Sequence, residues 1–546
     1  MENILTTQTL WENYDPTAEQ LDVNVFKTYE KDGLIVKQLY FTGRSLSANQ
    51  KTRVFATVCC KNTKSVKPAV LLVGDYKKPI NLNDLEELAK SGFVAMAIDF
   101  AGRASKGLFT FYVEELDYCN ADVAPGMFEV EKTARETKTF EYALNCRRAI
   151  TYLFQEEKIK QVSLLTIGSG VYVGAIVLAV DQRLTNGAVL FGDISRPFPD
   201  SGDGKIDSDD DDDLNRHLDY ERKRQLWTLG LAPQTYALQI KIPLYVINSA
   251  NSAFVDIEKA NKIFGRLNYE CRFLLLPTAI DYITDKYFEG LVKWLKGAQV
   301  PMQSGLLPDT DENGEYCLKV KTSCSINKTS VWYCTNADKK AKYFRKAKLV
   351  KSGEYYVAKL DLYEKNREVE AFALFDREVA VSTPLYRETV TAARVKVANK
   401  NIFSGTNEQQ VLIRLDSTQK SLNVDLEQKL TAGYLDIVGA SGKALATFAM
   451  SDDSLCRGDE FTLGFDVSSD SRQELTITAV CDFGGANIRM QQTFELIGDG
   501  KWQHITVEKD NFRRTEDGKQ IMEEDIVDML IISAEQEIIV NNIFLV

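Results

Sequence analysis

The sequence predicts a multidomain chain in which a doubly wound α/β sheet is followed by two all-β sandwiches. Three observations lead to this fold class. The 546 residues are too many for one hydrophobic core. Apolar strand-like runs alternate with helical segments between residues 34 and 295. Beyond the polar stretch 307–314, which is typical of a linker, helical segments nearly disappear.

The first predicted domain, residues 1–300, holds the α/β sheet. After Lys67 the run 66–75 is apolar without alternation, as expected for a parallel strand covered on both faces. The predicted strands are 66–75, 93–100, one beginning at Val162, 186–193, 242–248 and 272–277, and the predicted helices are 81–91, 139–157, 256–267 and 285–296. An acidic insertion at 196–241 occupies the place of a cap.

The rest of the chain is predicted to be all-β. Short alternating strands between 316 and 381 predict an immunoglobulin-like β-sandwich at 315–395. A second polar boundary follows at 398–407. Short strands between turn signals then predict a larger β-sandwich of jelly-roll type at 408–546.

Charge and composition narrow the functional classes. A net charge of −12 and a pI near 5.1 argue against binding to nucleic acid or to an anionic membrane. The N-terminus has no basic start followed by an apolar core, and the longest apolar runs are shorter than a membrane span. The ten cysteines match no zinc pattern. We therefore expect a cytoplasmic location with reduced thiols.

Residues 162–180, VSLLTIGSGVYVGAIVLAV, have the form of a strand, a tight turn and a helix. The G-x-S-x-G elbow that carries a hydrolase nucleophile has this form. Aligned with it, Gly168 takes the first glycine, Gly170 the nucleophile and Tyr172 the second glycine. Gly170 has no side chain that can attack a substrate.

A shift of the alignment by one residue brings Ser169, the only serine of the turn, to the nucleophile position. Ile167 and Val171 then occupy the two glycine positions, where a tight turn favours small residues. The shifted alignment is therefore the less favourable alternative.

The strand order, the segment FVAMAIDFAGR with its Asp99 and Gly102, and the motif TIGSGVYVG resemble the α/β-hydrolase family. Within it they are most similar to the acetyl-xylan-esterase and dienelactone-hydrolase branch. The resemblance covers about the first 300 residues. It implies a serine nucleophile, a histidine base and an acid that orients the histidine.

The positions that the resemblance assigns to this machinery hold other residues. Val73 stands where a histidine closes the strand before the oxyanion loop, and Gly170 replaces the serine. Ser252, or its neighbour Asn251, takes the place of the acid, and Asp281 that of the histidine. All of the diagnostic positions are thus altered together.

The chain has only two histidines, His217 in the acidic insertion and His504 in the last predicted domain. The sequence therefore favours a catalytically inactive hydrolase scaffold that serves binding or assembly. Three alternatives stay open: a carbohydrate esterase or related serine hydrolase with displaced residues, another chemistry using Asp193 or Asp281 in the cleft, and a self-assembling structural homo-oligomer.

Residues 201–210, SGDGKIDSDD, resemble a calcium loop of EF-hand or dockerin type. With Gly204 as the central glycine, the predicted ligands are Ser201, Asp203, the Lys205 carbonyl, Asp207 and Asp210. Crowded carboxylates favour a divalent cation because it relieves their repulsion. Pro199 falls on the first ligand position and offers no side-chain oxygen, so a solvated acidic loop is the alternative.

The last predicted domain resembles a carbohydrate-binding jelly roll of the galactose-binding-like type. Sugar recognition needs exposed aromatic rings, for which Trp502, Tyr434 and Phe483 are candidates. The alternative is that these rings belong to the core. A carbohydrate or a protein is thus the expected partner of the C-terminal sandwiches.

Overall fold

The computed structural model describes residues 4–545 except 64–66, 196–210, 253–254, 268, 278–282, 338–339, 392–393, 399, 407–410, 416–421, 423–427, 456–461 and 523–524. Its N-terminal part has mixed α/β structure and its C-terminal part consists of β-sheets. Among the described residues we find no helical segment with the length and apolar character that a bilayer crossing requires.

The α/β part contains, in chain order, β1 (Asn24–Lys31), β2 (Leu34–Ser47), β3 (Gln50–Lys61), β4 (Ala69–Val73), α1 (Leu82–Lys90), β5 (Val94–Ile98), α2 (Lys138–Gln155), β6 (Val162–Ile167), α3 (Val171–Val180), β7 (Leu184–Leu190), α4 (Asp211–Gly230), α5 (Pro233–Ala237), β8 (Leu244–Ser249), α6 (Ile257–Phe264), β9 (Cys271–Leu276) and α7 (Asp285–Leu295). The strands lie in the order β1-β2-β3-β5-β4-β6-β7-β8-β9. In this order, each pair of neighbouring strands from β5 through β4 to β9 is parallel. The pairs β1–β2, β2–β3 and β3–β5 are antiparallel.

Helices cover both faces of this sheet, as an apolar parallel sheet requires. On one face, α2 and α3 contribute Ile150 and Val177 to the core. On the other face, α1 and α7 contribute Leu85 and Trp294. The central strands are therefore buried on both sides.

The middle part adds a second sheet and lengthens the first. Its strands are β10 (Leu307–Thr310), β11 (Tyr316–Lys321), β12 (Thr329–Cys334), β13 (Arg345–Lys346), β14 (Lys348–Ser352), β15 (Tyr355–Lys359), β16 (Arg367–Phe375), β17 (Val381–Ser382) and β18 (Tyr386–Val390). One sheet has the order β10-β11-β15-β14. The other joins the α/β sheet, because Ser382 of β17 pairs with Phe273 of β9, and the joined sheet has 14 strands.

Strand β10 lies inside the stretch that the sequence predicts to be a linker. It pairs antiparallel with β11 over all of its residues, from Leu307 opposite Lys319 to Thr310 opposite Tyr316. The linker prediction is therefore wrong for these residues. Their sequence has no apolar pattern that indicates a strand, and the strand exists because it pairs with β11.

The last part is one ten-stranded antiparallel sheet folded around a long final strand. Its strands are β19 (Asn401–Phe403), β20 (Ile413–Arg414), β21 (Lys429–Ala432), β22 (Val438–Thr447), β23 (Thr462–Ser468), β24 (Gln473–Cys481), β25 (Ile488–Leu496), β26 (Trp502–Glu508), β27 (Arg513–Arg514) and β28 (Val527–Leu545). Strand β28 pairs with β19, β22, β23 and β24 and so holds this part together.

Polar contacts fix the last part to the middle part. The Asn336 side-chain amide donates to the Ser451 carbonyl at 3.1 Å. The buried Arg345 guanidinium lies 3.3 Å from the buried Asp452 carboxylate. A buried ion pair of this kind is costly to break, because it leaves one charge without its partner.

Candidate functional site

The candidate site is the tight turn between β6 and α3, which we call the elbow (residues 168–170). Strand β6 ends at Ile167, and Gly168 follows with a φ of +55°. The chain then passes through a 3₁₀ turn at Gly168–Gly170 and enters α3. Ligand sites of parallel sheets form at the carboxyl ends of the strands, and the elbow lies at such an end.

The two glycines of the elbow differ in their surroundings. Gly170 has an ordinary helical φ of −62°. A Cβ atom there would lie 2.8 Å from the carbonyl carbon of Val73, and closer still to the carbonyl oxygens of Val73 and Gly74. At Gly168 a Cβ atom would meet no described atom within 4 Å. Gly170 is thus required by close packing, and Gly168 by its left-handed backbone.

This geometry shifts the alignment that the sequence suggests. In a nucleophile elbow the attacking residue occupies the strained position directly after the strand. The left-handed residue is Gly168, two residues before Gly170, where the sequence places the altered nucleophile. With Gly168 at the apex, the motif runs from Thr166 to Gly170, and Gly170 becomes its second glycine.

A cavity of about 350 Å³ lies against the elbow, and we call it the elbow cavity. Its wall is mostly apolar and includes Leu72, Ile80, Ala97, Phe100, Leu190 and Phe191. Its polar residues are Asp75, Lys78, Asn81, Asp84 and Ser169. A pocket that is apolar with a few placed polar groups is typical of small-molecule sites.

Asp84 is the most perturbed group of the elbow cavity. It lies in the first turn of α1, whose N-terminal cap is Asn81. Burial raises the pKa of the Asp84 carboxyl to about 7, although hydrogen bonds from Asn81 and from the backbone N–H of Leu422 act in the opposite direction. Its Oδ1 atom is buried and has no hydrogen-bond partner among the described residues.

Ser169 also faces this cavity. Its Oγ atom is buried, and within the described part of the chain it has no hydrogen-bond partner. Asp75, by contrast, accepts a hydrogen bond at 3.0 Å from the backbone N–H of Lys77, and its other oxygen lies 3.7 Å from Lys78 Nζ. Asp84 and Ser169 therefore each bring to this cavity a buried polar atom that has no partner among the described residues.

The other positions assigned from the sequence do not gather around the elbow cavity. Val73 is the buried last residue of β4 and approaches Gly170 only through its backbone. Ser252 Oγ accepts a hydrogen bond from the backbone N–H of Val255 at 3.2 Å. Asn251 is buried and accepts from the Lys342 backbone N–H at 2.9 Å, which is a structural contact.

The remaining acids and the histidines are also placed elsewhere. Asp193 accepts hydrogen bonds from both the backbone N–H and the hydroxyl of Ser195, each at 2.6 Å. His217 lies on α4, and His504 lies on β26 with its Nδ1 2.8 Å from Asp466. None of these residues lines the elbow cavity as far as the structure describes it.

Several predicted positions lie outside the described residues. These are Asp281 and all five predicted calcium ligands, Ser201, Asp203, Lys205, Asp207 and Asp210. The calcium site stays a prediction, which isothermal titration with calcium tests: no heat at millimolar metal would disprove it.

The three aromatic candidates of the last part have different surroundings. Phe483 is 9% exposed and packs edge-on against Phe448. Tyr434 is 42% exposed, and its carbonyl accepts a hydrogen bond from the Trp502 indole at 2.9 Å. Trp502 and Tyr434 therefore meet near the surface, whereas Phe483 belongs to the core.

Fold and site together define a chain with a mixed α/β N-terminal half, an elbow without a nucleophilic side chain at its apex, and β-sheets in the remainder. Solved structures with similarity include the acetyl xylan esterase 1 from Thermoanaerobacterium sp. JW/SL YS485, at 12% identity over 53% of this chain and 92% of that chain, with a TM-score of 0.40. An acetyl xylan esterase from Paenibacillus sp. R4 has 14% identity over 54% of this chain and 92% of that chain, with a TM-score of 0.40. A cold-adapted esterase from an Arctic intertidal metagenomic library has 16% identity over 50% of this chain and 96% of that chain, with a TM-score of 0.33. No family model and no curated protein matches the chain.

Sequence patterns do not single out Asp84 or Leu422 as residues of the site. In the sequence, Asp84 is an ordinary acidic residue in the first turn of a helix, where its negative charge interacts favourably with the helix dipole. Leu422, which also lines the elbow cavity, lies more than 300 residues later in the chain. No local signal connects two residues that far apart.

Proposed function

We propose that the first 300 residues form a catalytically inactive domain of α/β-hydrolase type, which binds a small molecule in the elbow cavity without hydrolysing it. The observation that carries this proposal is Gly168. It holds the left-handed apex position, where an elbow presents its nucleophile, and it has no side chain. The space beside it is open, so a ligand can approach where chemistry would otherwise occur.

The positions of the proton acceptors support the same proposal. In serine hydrolysis a histidine must contact the serine hydroxyl and accept its proton. The only two histidines, His217 and His504, lie away from the elbow cavity. In this proposal Gly168 replaces the nucleophile, and Val73, Ser252 and Asp281 replace the other members of the machinery.

We further propose that residues 1–300 form the hydrolase-type domain, 315–395 an immunoglobulin-like sandwich and 408–546 a jelly roll, in a cytoplasmic protein. The two sheets of the middle part, which share one hydrophobic core, and the sheet around β28 support these assignments.

A serine hydrolase that uses Ser169 is the second candidate. The observation in its favour is the Ser169 hydroxyl, which is buried against the elbow cavity without a partner in the described part of the chain. It would make the chain an esterase.

Labelling with a fluorophosphonate and turnover of a chromogenic acetate distinguish the two candidates. For an inactive domain, the full-length protein is neither labelled nor active above its Ser169→Ala variant. Ser471→Ala is the matched control, since Ser471 is an exposed serine of the last part and lies outside the cavity. Labelling that is lost in Ser169→Ala and kept in Ser471→Ala would overturn the proposal.

We also propose that the C-terminal part contacts a carbohydrate through Tyr434 and Trp502. The exposed Tyr434 ring beside Trp502 supports this, because sugars pack on exposed aromatic faces. A glycan array with the wild type and a Tyr434→Ala variant tests it. Equal binding by both proteins, or no binding by either, would contradict it.

A further inference from the structure

We propose that the elbow cavity accepts a small amphipathic primary amine, whose ammonium group pairs with Asp84 and whose alkyl chain packs on the apolar wall. The inference rests on the proposed function, since it names the ligand class of the same cavity. Three features carry it: the charge of the cavity, the free Asp84 oxygen and the composition of the wall.

The charged residues of the cavity favour a cation. Two carboxylates, Asp75 and Asp84, face one lysine, Lys78. The Lys78 side chain is 77% exposed, and its Nζ lies 3.7 Å from Asp75 Oδ2. Lys78 therefore balances Asp75, and the charge of Asp84 stays uncompensated within the described cavity.

The hydrogen bonds of Asp84 leave one of its two oxygens without a partner in the described part of the chain. Asn81 and the Leu422 N–H donate to this carboxyl, while Oδ1 is buried without a partner among the described residues. A buried carboxylate needs a charged or hydrogen-bonding partner, because removal from water disfavours its ionised form. An ammonium group supplies both the donor and the charge.

The remaining wall selects an apolar body for the ligand. Leu72, Ile98, Phe100, Leu190 and Phe191 line it, and the Ser169 hydroxyl is the other free polar group. Each methylene buried on such a wall should tighten binding by about fourfold. A carboxylate ligand would instead meet Asp84 as a like charge.

The titration of Asp84 makes the binding depend on pH. The charged groups around it are Glu87 on its own helix, which Lys90 neutralises at 2.9 Å, and Asp75 with Lys78 on the segment after β4. With a pKa of about 7, the ionised fraction of Asp84 falls roughly thirtyfold between pH 8 and pH 5.5. A hexyl ammonium ion stays charged throughout this range, so the change in affinity reports on Asp84.

Isothermal titration of the full-length protein with hexylamine, hexanol and hexanoate at pH 8 tests the inference. We expect hexylamine to bind at least tenfold more tightly than hexanol, and hexanoate to bind more weakly than both. Asp84→Asn should reduce hexylamine affinity to that of hexanol. The matched control Asp219→Asn, on α4 and outside the cavity, should change it by less than twofold.

A pH series on the unaltered protein tests the role of Asp84 without depending on the folding of a variant. Hexylamine affinity should fall at least tenfold from pH 8 to pH 5.5, while hexanol affinity stays constant. Equal affinities for hexylamine and hexanol without pH dependence would overturn the amine ligand and leave the binding function standing. Absence of binding by all three probes would overturn both.

Discussion

Replacement of Gly170 by alanine tests whether the elbow is packed as described. A Cβ atom at this position would lie 2.8 Å from the Val73 carbonyl carbon, whereas ordinary contacts begin at 3.4 Å. The end of β4 must therefore withdraw by more than about 0.6 Å, because the carbonyl oxygens of Val73 and Gly74 would lie closer still than the carbonyl carbon. The obstacle is backbone held in the central sheet, so it cannot rotate away as a side chain would.

We expect Gly170→Ala to lower the free energy of unfolding by about 2–3 kcal/mol, in the range of overpacked cores. Gly168→Ala should cost about 1 kcal/mol, because the left-handed backbone disfavours alanine while the surrounding space is open. Gly168→Asn should cost less than Gly168→Ala, because asparagine tolerates that backbone.

Urea denaturation followed by tryptophan fluorescence measures these differences. The transition to follow is the one reported by Trp227 and Trp294, both buried in the α/β part. A wild-type midpoint for Gly170→Ala would refute the close approach of the elbow to β4. An order in which Gly168→Asn is the least stable variant would refute the left-handed apex.

Three further changes test features away from the elbow. Burial raises the pKa of Glu141 to about 7, so its contribution to stability is present below about pH 4.5 and is lost as the pH rises through 7. The wild type should therefore lose on the order of 3 kcal/mol of unfolding free energy from this group between pH 4.5 and pH 8, and Glu141→Gln should not. Urea midpoints at the two pH values measure the difference. Arg148→Ala should cost about 3 kcal/mol in the same assay, because its guanidinium donates to four backbone carbonyls, whereas Arg224→Ala on the exposed face of α4 should cost less than about 0.5 kcal/mol, and equal losses would contradict this. Asp452→Asn should cost about 3–5 kcal/mol and lower the calorimetric transition temperature, because it removes the negative charge that faces the buried Arg345 guanidinium. An unchanged transition would show that the pair does not hold the two parts together.

The elements that could be predicted from sequence are those whose apolar residues form a continuous run or recur at helical spacing. Strands β4 and β5 are buried at every residue, and each lies within a predicted strand. Helix α2 likewise lies mostly within the predicted 139–157 helix, because its apolar residues recur at helical spacing. Strand β10 could not be predicted, since it is a largely exposed edge strand whose existence depends on pairing with β11.

The sequence was sufficient to locate the candidate site but not to assign the roles of its residues. The elbow itself follows from the strand, the glycines and the apolar helix. Which glycine has the left-handed backbone does not, because Gly168 and Gly170 are the same residue type and only their packing differs. The role of Asp84 depends on burial against Leu422, which is a property of the folded chain.

The pairing of β17 with β9 has a consequence for how this protein can be divided. Strand β9, CRFLLL, is fully buried, and β17 occupies the side of it that β8 leaves open. The Ser382 hydroxyl accepts a hydrogen bond from the Leu275 N–H at 3.0 Å, which completes this cover. A fragment ending near residue 300 would leave this edge of β9 without its partner strand, and an unpaired apolar edge is a template for chain-to-chain association. Protection of the α/β sheet edge thus depends on a two-residue strand that lies about a hundred residues later in the chain.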